Sequence, residues 1–339
     1  MNDLTDILKA LCLSNGISGR EENIRDIIID LISDHCEYKT DNLGNIIAFK
    51  KGKNKALKKV MCDAHTDEVG FIITDITSEG FLKFASVGGI DASVIPASKV
   101  TVGENNTPGV IGIKPVHLTD KSELKTSPKE SSLYIDIGAK NKEEAQNAVK
   151  IGDSAVMQGD FIKSGDYILS KAIDDRVGCA VLIKMLQTPA DYDFYASFSV
   201  QEEVGLRGAA VSAYEINPDF AVVLDATTAS DIPGSSPETQ VCNLRKGAVV
   251  SFMDKATLYD KELYYAALNS NIKCQPKRAV AGGNNSGRIH LSRGGIRTIA
   301  LSLPCRYIHS PSSVGNTNDI NSLFELSKYM VSLCASGNI

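Results

Sequence analysis

Acid and imidazole side chains recur in five short segments that lie far apart in the chain, and several of these segments close apolar runs. Asp63-Ala64-His65-Thr66-Asp67-Glu68 follows Lys59-Val60-Met61-Cys62, and Gln201-Glu202-Glu203-Val204-Gly205 closes the run from Phe194 to Val200. Ile173-Asp174-Asp175-Arg176, Val223-Leu224-Asp225 and Tyr307-Ile308-His309-Ser310-Pro311 complete the set. Imidazole and carboxylate together suit zinc, cobalt or manganese, and two divalent ions about 3.5 Å apart can share a bridging carboxylate and a bridging water. His65, Asp174, Glu203, Asp225 and His309 supply five such ligands. Gathering so many carboxylates in one cleft without cations is costly, so the pattern reads as a hydrolase centre with two metal ions per chain. Glu202 is the candidate for moving a proton between water and a leaving group. Successive residues on a strand face opposite ways, so Glu202 and Glu203 share a site only if the chain bends, which Val204-Gly205 permits. Asp67, two residues beyond His65, is placed to accept a hydrogen bond from that imidazole and hold its tautomer.

The elements that must carry these groups read as an α/β architecture, with acids delivered to the carboxyl ends of buried strands, where open sheets bind ligands. Leu4, Ile7, Leu8 and Leu11 recur at the helical period. Ser18-Gly19-Arg20-Glu21 predicts a capping box for a second helix with Ile24, Ile27, Ile28 and Leu31 inward. The Lys-rich stretch from Lys50 to Lys55 predicts a solvated hairpin tip. A helix is expected to begin at Asp175, and the strand Phe220 to Leu224 is expected to end in Asp225. Between Gly70 and about Asp160 the texture changes to short strand-like runs with one helical piece at Lys142 to Gln146, which predicts a small curled β-domain. The expected division is a catalytic domain in two segments, 1–70 and 164–339, around an inserted β dimerisation domain, 71–163.

Composition excludes several classes of function. The 339 residues are 43% hydrophobic and 23% charged, with a formal net charge of −5. With no basic tract interleaved with aromatics, nucleic acid is not an expected partner. No apolar run approaches membrane length and the first residues lack a basic lead, so no membrane association and a cytoplasmic location are expected. The eight cysteines are scattered without a Cys-x-x-Cys pair and read as small core residues.

His65-Thr66-Asp67-Glu68-Val69-Gly70, Ala172-Ile173-Asp174-Asp175-Arg176-Val177-Gly178, the run from Gln201 to Gly208, the Asp225 segment and Arg306 to Pro311 together resemble the tetrahedral aminopeptidase family. Its members include glutamyl and deblocking aminopeptidases, and some relatives carry the label endoglucanase. The resemblance implies a mixed-sheet dinuclear metallopeptidase domain with an inserted small β-barrel-like domain. By that resemblance, residues matching His65 and Asp225 are terminal ligands on one metal, those matching Glu203 and His309 belong to the other, and the one matching Asp174 bridges. The peptide after the bridging residue is commonly cis, the residue matching Glu202 is the general base, and the one matching Asp67 is a catalytic partner of the first imidazole. The resemblance also implies that the insertion mediates dimer contacts and that six dimers close into a tetrahedral dodecamer. Gly283-Asn284-Asn285-Ser286-Gly287 departs from the Gly-Thr-Asp-Ala-Gly of many relatives and bears on side-chain preference near the expected substrate pocket. The expected function is metal-dependent removal of N-terminal residues from short peptides by a metal-activated water. Alternatives are β-1,4-glucan hydrolysis, disfavoured by the absence of Trp, and a non-enzymatic assembly subunit.

Overall fold

The computed structural model describes residues 3–120 and 125–339. Helices α1 (Leu4–Leu13) and α2 (Glu22–Ile32) lead into strands β1 (Glu37–Thr40), β2 (Ile46–Lys50) and β3 (Val60–His65). The periodic apolar residues of α1 are buried, and α2 buries Ile24, Ile28 and Ile32. The expected capping box does not form. Ser18 Oγ instead donates to the Asp67 carboxylate at 2.6 Å, and Glu21 Oε1 accepts the Gly19 and Gln201 amides at 2.7 and 3.1 Å. Ser18 is thereby tied to the acid that follows β3, and Glu21 to its own turn and to Gln201.

Next come β4 (Gly70–Ile76), β5 (Leu82–Val87), β6 (Lys99–Val102), β7 (Thr107–Gly112), β8 (Tyr134–Asp136), α3 (Lys142–Ala148) and β9 (Ser154–Met157). These strands close into a barrel in the order β4-β5-β8-β7-β6-β9. Alternate residues point inward, and Phe71, Ile73, Leu82, Val100, Ile111, Ile135 and Ala155 fill the interior. Each large apolar side chain enclosed there contributes about 1.5–3 kcal/mol. Strand β9 closes the barrel by pairing with both β4 and β6.

The chain then returns through β10 (Ile162–Ser164), β11 (Tyr167–Ser170), α4 (Ile173–Gln187), β12 (Phe194–Ser199), α5 (Arg207–Ile216) and β13 (Phe220–Thr228). It finishes with β14 (Ala248–Val250), α6 (Lys261–Leu268), β15 (Cys274–Pro276), α7 (Ser286–Ile289), β16 (Arg297–Cys305), β17 (Ser313–Asn316) and α8 (Thr317–Ala335). The main sheet is mixed, ordered β1-β2-β12-β3-β13-β16-β14-β15, and its four central strands β12, β3, β13 and β16 are parallel. Strands β10, β11 and β17 form a separate small sheet. Every residue of β3 is buried, as expected of a central strand covered on both faces. Because β12 lies between β2 and β3, the stretch from Lys50 to Lys55 is a crossover and not a hairpin tip. Asp225 also departs from expectation: β13 runs through it to Thr228, held in register by β16. All eight cysteines are free, six of them buried. No helix among the described residues is long and apolar enough to cross a membrane.

Candidate metal centre

The parallel order brings the carboxyl ends of β12, β3 and β16 to one edge, with β13 passing between β3 and β16. His65 ends β3, Glu202 and Glu203 follow β12, Asp225 lies on β13 and His309 follows β16. Asp174 arrives from the start of α4, where Asp174 and Asp175 have non-helical backbone and share a cis peptide bond. Asp175 Oδ1 accepts the Gly178 amide at 3.0 Å, the hydrogen bond of a helix cap. A Cβ at Gly178 would lie 2.4 Å from that carboxylate, so only glycine fits the approach.

Asp174 sits between the two imidazoles. Its Oδ1 lies 3.2 Å from His65 Nε2 and its Oδ2 lies 3.4 Å from His309 Nε2. Asp225 Oδ1 is 3.9 Å from His65 Nε2, and Glu203 Oε1 is 3.2 Å from His309 Nε2. Two candidate ligand triads result, His65-Asp174-Asp225 and Asp174-Glu203-His309, each with its donor atoms within 4.8 Å of one another. They share only Asp174. Glu202 joins His65 and Glu203 in a third grouping at the same spacing.

Both imidazoles are oriented from behind. His65 Nδ1 lies 3.1 Å from the Asp67 carbonyl oxygen, and His309 Nδ1 lies 2.7 Å from that of Gly89. A carbonyl accepts only, so each Nδ1 carries the proton and each Nε2 faces the carboxylates. The Asp67 carboxylate is 3.5 Å from His65 Nδ1, so the carbonyl is the closer partner. The carboxylate chiefly accepts the amides of Glu202 and Glu203, at 3.0 and 3.1 Å. The bend that lets these two glutamates share one site starts at Gln201, with φ 56°, before it reaches Gly205, with φ 122°. Arg207 pairs with Gln201 and leaves Glu202 to the cleft.

The charge pattern fits cations. Burial opposes protonation of His309, but Asp174 and Glu203 push its pKa up to about 11. Burial likewise opposes protonation of His65, whose pKa is nevertheless held well above the usual range by Glu202, Asp174 and Asp67. Burial pushes Glu202 up to about 8, opposed by His65 and reinforced by Glu203, Asp67 and Asp174. The donor set thus holds more negative charge than its two imidazoles balance, and divalent ions supply what it lacks.

Behind the centre, Glu68 receives Lys171 Nζ on both oxygens at 2.7 and 2.8 Å and lies 3.4 Å from Arg176 Nη2. Arg176 is fully enclosed and also donates to the carbonyls of Leu11, Ser14 and Gly16. In front lies a cleft that Thr227, Thr228, Val241, Lys277, Gly282 and Ile308 line together with the ligands. Asn285 is buried outside that lining and donates at 2.8 Å to both Asp63 and Ser199. It supports the cleft wall from behind instead of facing a substrate. The sequence reading missed the contributions of Gly89, Ser18 and Lys277.

Residues 44–326 match the family model described as M42 glutamyl aminopeptidase. The chain belongs to the M42 glutamyl aminopeptidase family. A protein of Acetivibrio thermocellus that carries a provisional aminopeptidase name is 40% identical over 331 residues, covering 96% of this chain and 97% of that one. The TET aminopeptidase of Thaumarchaeota archaeon SCGC AB-539-E09 superposes with a TM-score of 0.91 at 31% identity, over 96% and 95% of the two chains. The TET1 peptidase of Pyrococcus horikoshii, described as able to assemble into a tetrahedron or a large octahedral shell, gives 0.85 at 34% identity, over 96% and 98%. As an M42 member with paired ligand triads, the chain is a metal-dependent aminopeptidase.

Proposed function

We propose that this M42 enzyme releases the N-terminal residue of short peptides at a centre of two divalent ions, zinc, cobalt or manganese. His65 and Asp225 would hold one ion, Glu203 and His309 the other, and Asp174 both. The observation that carries this reading is the placement of the two Asp174 oxygens, each facing a different imidazole Nε2 at 3.2 and 3.4 Å. When bound, such ions polarise the scissile carbonyl and lower the pKa of water. The chain's own residues supply the rest. Glu202 takes a proton from the attacking water and passes it to the leaving amine. Asp67 fixes the bend that presents Glu202 and Glu203, while the Asp67 and Gly89 carbonyls keep both imidazoles in the ligating tautomer.

We take residues 71–163 as an inserted dimerisation domain between catalytic segments 1–70 and 164–339, with dimers assembling further into a dodecamer. Eight free cysteines support a cytoplasmic setting. Glucan hydrolysis finds no support in the cleft, whose described lining holds no Phe, Tyr or Trp on which a sugar could stack. Chelator-treated enzyme is expected to lose peptidase activity and to regain it with zinc, cobalt or manganese. Undiminished turnover at negligible measured metal content would overturn the proposal.

A further inference from the structure

Ser18-Gly19-Arg20-Glu21 caps no helix, and its last residue is a buried acid, Glu21 at 5% exposure. No Lys, Arg or His among the described residues lies within ion-pair distance of it. Arg20 turns back to the Gly19 carbonyl, and Arg25 turns to Asp26. Burial pushes the Glu21 carboxyl up to about 7, opposed by the Gly19 amide and reinforced by nearby Asp67. Enclosing one acid near another without a cation is unfavourable, and what Glu21 receives in return is two backbone amides on Oε1. One is Gly19 of its own turn at 2.7 Å, and the other is Gln201, beyond the end of β12, at 3.1 Å.

The Gln201 amide begins a series. Glu21 accepts it, and Asp67 accepts the amides of Glu202 and Glu203 at 3.0 and 3.1 Å, so two enclosed acids hold three successive N–H groups of the bend. Gln201 itself is left-handed, with φ 56°, a conformation that disfavours a residue with a Cβ and persists where its surroundings hold it. The two glutamates that follow differ in what fixes their side chains. Glu203 lies 3.2 Å from His309 Nε2 and belongs to a ligand triad. The Glu202 carboxylate accepts no hydrogen bond among the described residues. Its place in the cleft follows from the backbone that carries it.

We propose that Glu21 is a positioning residue for proton transfer: by holding the Gln201 amide it fixes the backbone from which Glu202 reaches the cleft. This rests on the aminopeptidase reading above.

Charge and reach are separable at this position. Glu21→Asp keeps the charge but draws the carboxylate back from the Gln201 amide, whereas Glu21→Gln keeps an acceptor oxygen at full reach without the charge. Kinetics use the X-Ala-Ala peptide that the metal-loaded wild type cleaves best, chosen from acidic, basic and apolar X. Glu21→Asp is expected to lower kcat about 10–100-fold at nearly unchanged KM and metal content. Hydrogen exchange of the amides in 200–204 is expected to quicken in the same variant. Glu21→Gln is expected to recover most of the loss. In the Glu202→Gln background, Glu21→Asp is expected to lower kcat no further, within about twofold, because the group it positions is gone. Near-normal kcat or unchanged exchange in Glu21→Asp, an equal loss in both backgrounds, or a loss as large in Glu21→Gln overturns the assignment. So does a Glu21→Asp protein that fails to fold or to retain metal, since Glu21 then serves the fold at large. If Glu202→Gln alone turns over normally, the general-base role falls and the Glu21 assignment falls with it. A loss in Glu202→Gln beside near-normal Glu21→Asp leaves the general base standing. If no X-Ala-Ala peptide is cleaved, the aminopeptidase reading itself falls, and the Glu21 assignment with it.

Discussion

Asp67 satisfies three donors with one carboxylate, accepting the Ser18 hydroxyl at 2.6 Å and the amides of Glu202 and Glu203 at 3.0 and 3.1 Å. Glu202 and Glu203 can therefore be separated by experiment although they are adjacent. Glu202→Gln removes a proton acceptor at nearly constant volume, so turnover is expected to fall about 10²-fold or more with the metal content unchanged. Near-normal turnover with metal verified would move the proton-transfer role elsewhere. Asp67→Asn instead turns one acceptor oxygen into a donor that confronts a backbone amide. It is expected to weaken metal retention at Glu203 as well as activity, by about 10–100-fold, as read in a metal titration. The convergence of His65, Asp174, Glu203, Asp225 and His309 was legible at this scale, because acids and imidazoles in such number after apolar runs are costly to gather unless cations join them. The Ser18 and Asn285 contacts were not legible. Each depends on a partner distant in sequence, as with Asn285 and Asp63, and neither residue type announces such a partner.

At the scale of elements, the centre is a consequence of strand order. Four parallel strands carry His65, the two glutamates, Asp225 and the segment leading to His309 to one edge, but Asp174 arrives from α4, outside the sheet. The position of α4 depends on Arg176, which ties its first turn to the end of α1 and to Glu68. Arg176→Met leaves Glu68 with one cationic partner and the carbonyls of Leu11 and Gly16 without this donor. It is expected to cost about 3–5 kcal/mol in denaturant unfolding. A loss below about 1 kcal/mol would show that water replaces these bonds. The helices and buried strands were readable from apolar periodicity, as with Leu4, Ile7, Leu8 and Leu11, which all lie buried on one face of α1. Pairing was not readable. The insertion of β12 between β2 and β3 turned an expected hairpin into a crossover.

At the scale of the whole molecule, the barrel presents apolar side chains that its own interior does not use. Val110, Ile113, Val116 and Leu118 are 45%, 41%, 72% and 59% exposed, on β7 and the segment after it. Exposed large hydrophobics are common singly, but four within nine residues of one segment form a surface that association would cover. A formal charge of −5 per chain opposes such association only weakly once salt screens it. The protein is therefore expected to be at least a dimer through this face at micromolar concentration. Val116→Asp together with Leu118→Asp is expected to shift it toward monomer in size exclusion coupled to light scattering. Because both positions lie outside the cleft lining, the metal triads should remain able to form in the separated chain. Peptide cleavage by the monomer would then place the catalytic apparatus within one chain. If the closed assembly also excludes folded substrates, the same dissociation should raise cleavage of a folded protein relative to a short peptide with the same N-terminus. A wild-type monomer with full activity would reject the oligomer, and an assembly that cleaves folded and short substrates equally well would reject the size gate.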